Sequence, residues 1–170
     1  NKHDYSSNLI FTSRGCPFYC NFCASHILWT RKVRYRSLSN VLAEIDFLIN
    51  QHGATRIRIE YDTFTLSKKR LFDFCNLIKE KGLLKKVSFF LGSRVDTLDE
   101  AMIEHLAAIG VEGISFGIES GSPRMLEKIG KKISPSQVEN TIRLASSHGI
   151  RCICYFMIGH PEETVDDVKQ

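Results

Sequence analysis

Ser13-Arg14-Gly15-Cys16-Pro17-Phe18-Tyr19-Cys20-Asn21-Phe22-Cys23 carries three cysteines at the spacing C-x3-C-x2-C. Three thiolates this close can hold three irons of one cubane cluster and leave the fourth iron without a protein ligand. Iron–sulfur clusters usually take four protein thiolates, so a cluster one ligand short has an open position where a small molecule can bind and react. The same logic separates catalytic from structural zinc sites. Zinc is the competing reading, because His26 lies three residues past Cys23 and would complete a Cys3His set. A disulfide fits less well: three cysteines leave one over, and nothing else in the chain suggests secretion.

On either side of this run the chain repeats a strand–helix unit. Gly53, Gly82, Gly110 and Gly149 each follow an amphipathic pattern and precede a short apolar run. Glycine is favoured just past a helix end, where the backbone turns left-handed. The pattern predicts helices from about Ser39 to Gln51 (stripe Val41, Leu42, Ile45, Leu48, Ile49) and from about Ser67 to Lys81 (stripe Leu71, Phe74, Cys75, Ile78). A third opens at a capping box, Thr97-Leu98-Asp99-Glu100, and runs to Ile109; a fourth opens at Ser134-Pro135-Ser136-Gln137 and ends near His148. Strands are expected at Leu9–Thr12, Thr55–Tyr61, Lys86–Leu91, Gly113–Ile118 and Arg151–Ile158. They are apolar at most positions, as parallel strands covered on one or both faces tend to be. The interval from Gly110 to Gly149 is longer than the others, so an extra loop, Glu119 to Lys132, is inserted after the fourth strand, and function is expected there. Five such units, the last incomplete, predict an α/β chain built as a barrel or part of one; an open doubly wound sheet is the alternative.

The chain has 170 residues, 43% apolar and 25% charged, with six cysteines and a net charge of +4. That is one domain or part of one, with enough apolar residues for a core. No apolar run reaches the roughly 18 residues of a membrane span, and no signal peptide opens the chain, so a cytoplasmic, reducing location is expected. The basic run Arg31, Lys32, Arg34, Arg36 reads as a solvated loop, since no nucleic-acid motif accompanies it. The last residues, Glu162 to Gln170, read as the opening of a helix with acids in its first turn. The expectation is therefore a fragment, residues 1–170, cut short at its C-terminus.

The C-x3-C-x2-C run resembles that of the radical S-adenosylmethionine (radical SAM) enzymes. The wider stretch SRGCPFYCNFC is similar to the branch whose members often carry a cobalamin-binding domain upstream, such as anaerobic magnesium-porphyrin cyclases and cobalamin-dependent methyltransferases. The resemblance implies a partial (βα) barrel of which five strands are present here and the sixth unit is missing. It implies a [4Fe-4S] cluster on Cys16, Cys20 and Cys23, and S-adenosylmethionine on the open iron. Reductive cleavage of the sulfonium C–S bond would then yield a 5′-deoxyadenosyl radical for methyl transfer, cyclisation or a similar reaction. The cofactor carries that chemistry, and the protein binds, orients and excludes water. Also implied are an unknown small-molecule substrate, an electron donor such as flavodoxin or ferredoxin, and cobalamin carried by a domain outside this stretch. The alternative, from another class, is a non-catalytic Cys3His zinc or iron–sulfur electron-transfer module. The resemblance names no catalytic residue.

In parallel βα folds ligands bind at the carboxyl ends of the strands, and the polar residues fall there. Phe22 matches a position that packs against adenine; core packing of the loop is its other reading. Asp62-Thr63-Phe64-Thr65 resembles the branch's D-x-F-T element, with Asp62 placed to accept from the methionine ammonium group or, equally, to turn the chain into the next helix. Phe116-Gly117-Ile118-Glu119-Ser120-Gly121-Ser122 resembles the G-I-E-S-G element, which assigns Glu119 to the ribose or methionine and places Ser120 beside it. Lys131 and Lys132 compete to pair with the methionine carboxylate. Tyr155-Phe156-Met157-Ile158-Gly159-His160-Pro161-Glu162-Glu163-Thr164 resembles I-G-L-P-G-E-T, with Gly159 at the adenine end. Here His160 replaces Leu and Glu162 replaces Gly, which puts in doubt the close turn that glycine permits. His160 reads as solvent-facing or substrate-facing. Cys75, Cys152 and Cys154 read as core thiols.

Overall fold

The computed structural model describes residues 8–60 and 63–170. The chain opens with β1 (Leu9–Phe11) and β2 (Ser13–Arg14), followed by the short helix α1 (Ser25–Trp29), β3 (Arg34–Tyr35) and α2 (Leu38–His52). Then come β4 (Arg56–Glu60), α3 (Lys68–Glu80), β5 (Ser88–Ser93), α4 (Glu100–Ala108) and β6 (Val111–Glu119). The chain ends with α5 (Pro123–Lys128), α6 (Pro135–Ser147), β7 (Arg151–Phe156) and α7 (Val165–Val168). One open sheet runs in the order β1-β4-β5-β6-β7, and every pairing in it is parallel. It does not close on itself. This is the partial-barrel arrangement, with the strands in sequence order, and the doubly wound alternative falls away because that order never reverses.

Strand alternation explains why one face is covered. β4 reads RIRIE, with Ile57 and Ile59 buried and the charged residues on the other side. In β5 the buried set is Phe89, Leu91 and Ser93, and in β6 it includes Ile114, Phe116 and Ile118. Against this face pack the apolar stripes of α2, α3 and α4, the last through Met102, Ile103 and Leu106. Phe64, Phe74 and Phe89 join edge-to-face at 5.3 and 5.8 Å, which links the β4 rim to the core. Fully burying such a side chain contributes about 1.5–3 kcal/mol. The opposite face carries Arg56, Arg58, Glu60 and Phe90, with Arg56 paired to Glu112 at 3.3 Å and Arg58 paired to Glu60.

Helix ends follow local chemistry. The four closing glycines all have positive φ, and Ser134 with Gln137 forms the expected capping box. The third helix departs from expectation. Its N-cap is Asp99, whose carboxylate accepts from the Met102 amide at 2.9 Å. Thr97 belongs instead to a buried hydroxyl cluster, 2.5 Å from Thr65 Oγ1, which in turn lies 2.6 Å from Ser93 Oγ. A buried hydroxyl needs a partner, and that requirement outweighs the cap. Among the described residues no helix is long and apolar enough to cross a membrane.

Candidate functional site

The cysteine run lies on a loop pinched at its base. β2 and β3 form a two-residue antiparallel ladder, and the Arg36 amide donates to Thr12 O at 3.0 Å. From there the loop crosses the carboxyl rim of the sheet toward the far edge. The Asn21 amide donates to Ile129 O at 3.0 Å, and Asn21 Nδ2 donates to Lys128 O at 3.0 Å. Gly130 makes the contact close: its φ is +71°, and a Cβ there would fall 2.8 Å from Tyr19 O. The loop after β1 is thereby fixed to the loop after β6.

Cys20 is buried, and Cys16 and Cys23 are half-buried; no disulfide joins any of the six cysteines. Donors face the sulfurs. Arg94 Nη1 donates to Cys20 Sγ at 3.5 Å, and the Ser25 amide donates to Cys23 Sγ at 3.5 Å. Among the described residues no three His, Cys, Asp or Glu side chains converge on a single-ion position. His26 Nδ1 lies 2.9 Å from Cys23 O, a contact within its own turn.

At the end of β6 a bulge between Gly117 and Glu119 leaves Ile118 as the extra residue. Glu119 then takes φ +75°, a left-handed conformation that costs a non-glycine residue about 1–2 kcal/mol. The turn directs its carboxylate back over Gly117, where a Cβ would collide with Glu119 Oε1 and crowd Lys131 Nζ. Lys131 Nζ donates to Glu119 Oε1 at 3.1 Å, and the two side chains are 7% and 10% exposed. Lys131 is the lysine brought to the site; Lys132 is exposed. Ser120 is buried, and its hydroxyl accepts from the Ser122 amide at 3.2 Å, so it shapes the turn.

Sequence reasoning gave Arg94 no role, and it is the residue that joins the parts. Its guanidinium donates through Nε and Nη2 to the two Asp96 oxygens, each at 2.8 Å, and through Nη2 to Lys131 O at 2.7 Å. The Phe18 ring lies 3.8 Å from Cζ. Burial alone would lower its pKa; the Asp96 carboxylate and Cys20 outweigh that and raise it. The sequence signal was an arginine at the carboxyl end of a parallel strand with an aspartate two residues on.

The β7 rim meets the cysteine loop through Phe22, whose ring stands edge-on to His160 at 5.6 Å. His160 is not solvent-facing: it is 8% exposed, and its Nε2 is buried without a hydrogen-bond partner. Gly159 has φ +96°, and its amide donates to Glu163 Oε2 at 2.6 Å. Glu162 keeps the left-handed turn without glycine, at φ +64°, while its carboxylate pairs with Lys128 and its carbonyl accepts from Arg124 Nη2 at 2.9 Å. Asp167 closes this corner. It accepts from Arg124, from Ser122 Oγ at 2.7 Å and from Thr164 Oγ1 at 2.6 Å, and those donors, Arg124 first, hold its carboxyl well below the usual range.

Asp62 lies outside the described residues. Its neighbours Phe64 and Thr65 are buried in the core and the hydroxyl cluster. In the basic run, Arg31 lies over Tyr19 at 3.8 Å and donates to Phe18 O, and Arg36 pairs with Glu44 at 2.5 Å. Those two arginines clip the loop rather than form an open patch.

Residues 10–170 match the family profile described as the radical SAM superfamily. An uncharacterized methyltransferase of Pyrococcus horikoshii is 39% identical over 161 residues, 95% of this chain and 35% of that protein. The anaerobic magnesium-protoporphyrin IX monomethyl ester cyclase of Cereibacter sphaeroides is 28% identical over 160 residues, 93% of this chain and 26% of the cyclase. In shape the chain superposes on TsrM, a radical S-adenosylmethionine methyltransferase from Kitasatospora setae solved with cobalamin and a [4Fe-4S] cluster bound. The TM-score is 0.85 at 23% identity, over 94% of this chain and 32% of that one. At that identity the likeness is one of fold. The chain spans 26–35% of the length of these relatives, which are longer proteins.

Proposed function

Because this chain belongs to the radical SAM superfamily, we propose that its rim holds one [4Fe-4S] cluster on Cys16, Cys20 and Cys23 and binds S-adenosylmethionine beside the end of β6. When bound, the cofactors supply one-electron cleavage of the sulfonium C–S bond, which gives methionine and a 5′-deoxyadenosyl radical. The residues of this chain do the holding. Each thiolate takes one iron. Lys131 meets the methionine carboxylate, Glu119 accepts from the ribose hydroxyls, and Asp62 takes the methionine ammonium. Phe22 packs on the adenine with His160 behind it, while Ser120 and Gly159 shape the loops that border it. Radical chemistry needs a cavity that prevents side reactions, and Glu119, Lys131 and His160 are the buried parts of this rim.

The observation that carries this reading is the buried Glu119–Lys131 pair, which Arg94 ties through Lys131 O to the Cys20 loop. One network thus joins the proposed cluster ligands to the proposed cofactor clamp. The names of the relatives favour methyl transfer or ring formation. In this reading residues 1–170 are the core domain of a longer enzyme, with cobalamin on a domain outside them and a flavodoxin or ferredoxin as electron donor. With dithionite as reductant, the full-length protein should release 5′-deoxyadenosine from S-adenosylmethionine without its true substrate, and the Cys20→Ala variant should not. Chromatography measures both, and equal yields would overturn the proposal.

A further inference from the structure

Resting on the cluster assignment above, we infer that Arg94 sets the reduction potential of the cluster through its contact with Cys20. The guanidinium is 6% exposed and has no freedom to turn away. Of its five N–H groups, one donates to Cys20 Sγ, two to Asp96 and one to Lys131 O. Phe18, two residues before Cys20, covers its face. The geometry is asymmetric. Nη1 faces the sulfur, whereas Asp96 holds the Nε–Nη2 edge, so the positive end of this ion pair is the end beside the cluster ligand.

A cluster gains negative charge on reduction. A cation and a hydrogen bond at one of its sulfurs stabilise the reduced form more than the oxidised one, and so raise the potential. Burial leaves that field little screened by salt. Arg94 is therefore a positioning residue whose effect reads out as a potential, not only as stability of the fold. Asp96 partly offsets its charge, so the two residues should move the potential in opposite directions.

The test is redox titration of the full-length, reconstituted protein without S-adenosylmethionine, followed by EPR, with iron measured in every sample first. The Arg94→Met/Asp96→Asn double variant removes both charges and leaves neither unpaired; its midpoint should be more negative than wild type. Asp96→Asn alone leaves the arginine charge uncompensated beside Cys20, and its midpoint should be less negative. Unmoved midpoints in variants that hold full iron would overturn the inference. Should the double variant lose its iron, Asp96→Asn decides, and a midpoint equal to or below wild type overturns the inference. Wild-type protein without iron would overturn the cluster assignment and this inference together, a result that iron analysis separates from an unmoved potential.

Discussion

Replacing Cys16, Cys20 or Cys23 by Ala is expected to abolish iron binding, whereas Cys75→Ala, Cys152→Ala and Cys154→Ala should each leave about four irons per chain, the count of one cubane. Two thiolates do not retain a cubane well, so each loop cysteine is individually required. The other three are the wrong kind of thiol. Cys75 is fully buried on the core side of α3, and burial, opposed only by Lys79, pushes its thiol up to about 12. Cys152 and Cys154 pack against the core from β7, and burial raises both. All three belong to the packed core and not to the cysteine loop. Iron and sulfide quantitation across the six variants after anaerobic reconstitution checks this. Loss spread evenly over all six would contradict it.

Lys131→Met is expected to destabilise the fold by about 3–5 kcal/mol, because it strands the Glu119 carboxylate in a site almost closed to water. The partner cannot simply turn to solvent: the left-handed backbone at Glu119 and the space over Gly117 hold it in place. The double variant Lys131→Met/Glu119→Gln removes both charges and should recover most of the loss, since replacing a whole buried pair is often close to neutral. Urea unfolding of the four members of the cycle measures the coupling. Equal losses in Lys131→Met and the double variant would show that the two charges do not depend on each other.

The units of the sheet were legible because each helix shows a long apolar stripe and each closing glycine marks its end. The elements that build the rim were not. β2 and β3 are two residues each, too short for any periodicity. The helix α5, six residues inside the expected loop, is likewise too short to show a stripe. Arg94 touches Cys20 across 74 positions of sequence, a distance at which local pattern carries no information. His160 read as solvent-facing because nothing in its own segment shows that Phe22, on a loop from the other edge of the sheet, covers it. Glu162 was doubted as a turn residue for lacking glycine's freedom, but Lys128 and Arg124 hold it in the left-handed turn from outside the segment. The choice between Lys131 and Lys132 needed the fold, because only one of two adjacent lysines can face inward.

In the proposed site three thiolates leave one iron open, and that iron takes S-adenosylmethionine. The measurement that tests it most directly is the EPR spectrum of the reduced, full-length protein with and without S-adenosylmethionine, in a sample known to hold its iron. A changed spectrum is expected on adding the cofactor, with a weaker response in Glu119→Ala, where a lost hydrogen bond to a charged group costs roughly 1.5–3 kcal/mol, or about one to two decades in affinity. An unchanged spectrum at saturating cofactor in folded, iron-loaded protein would contradict it.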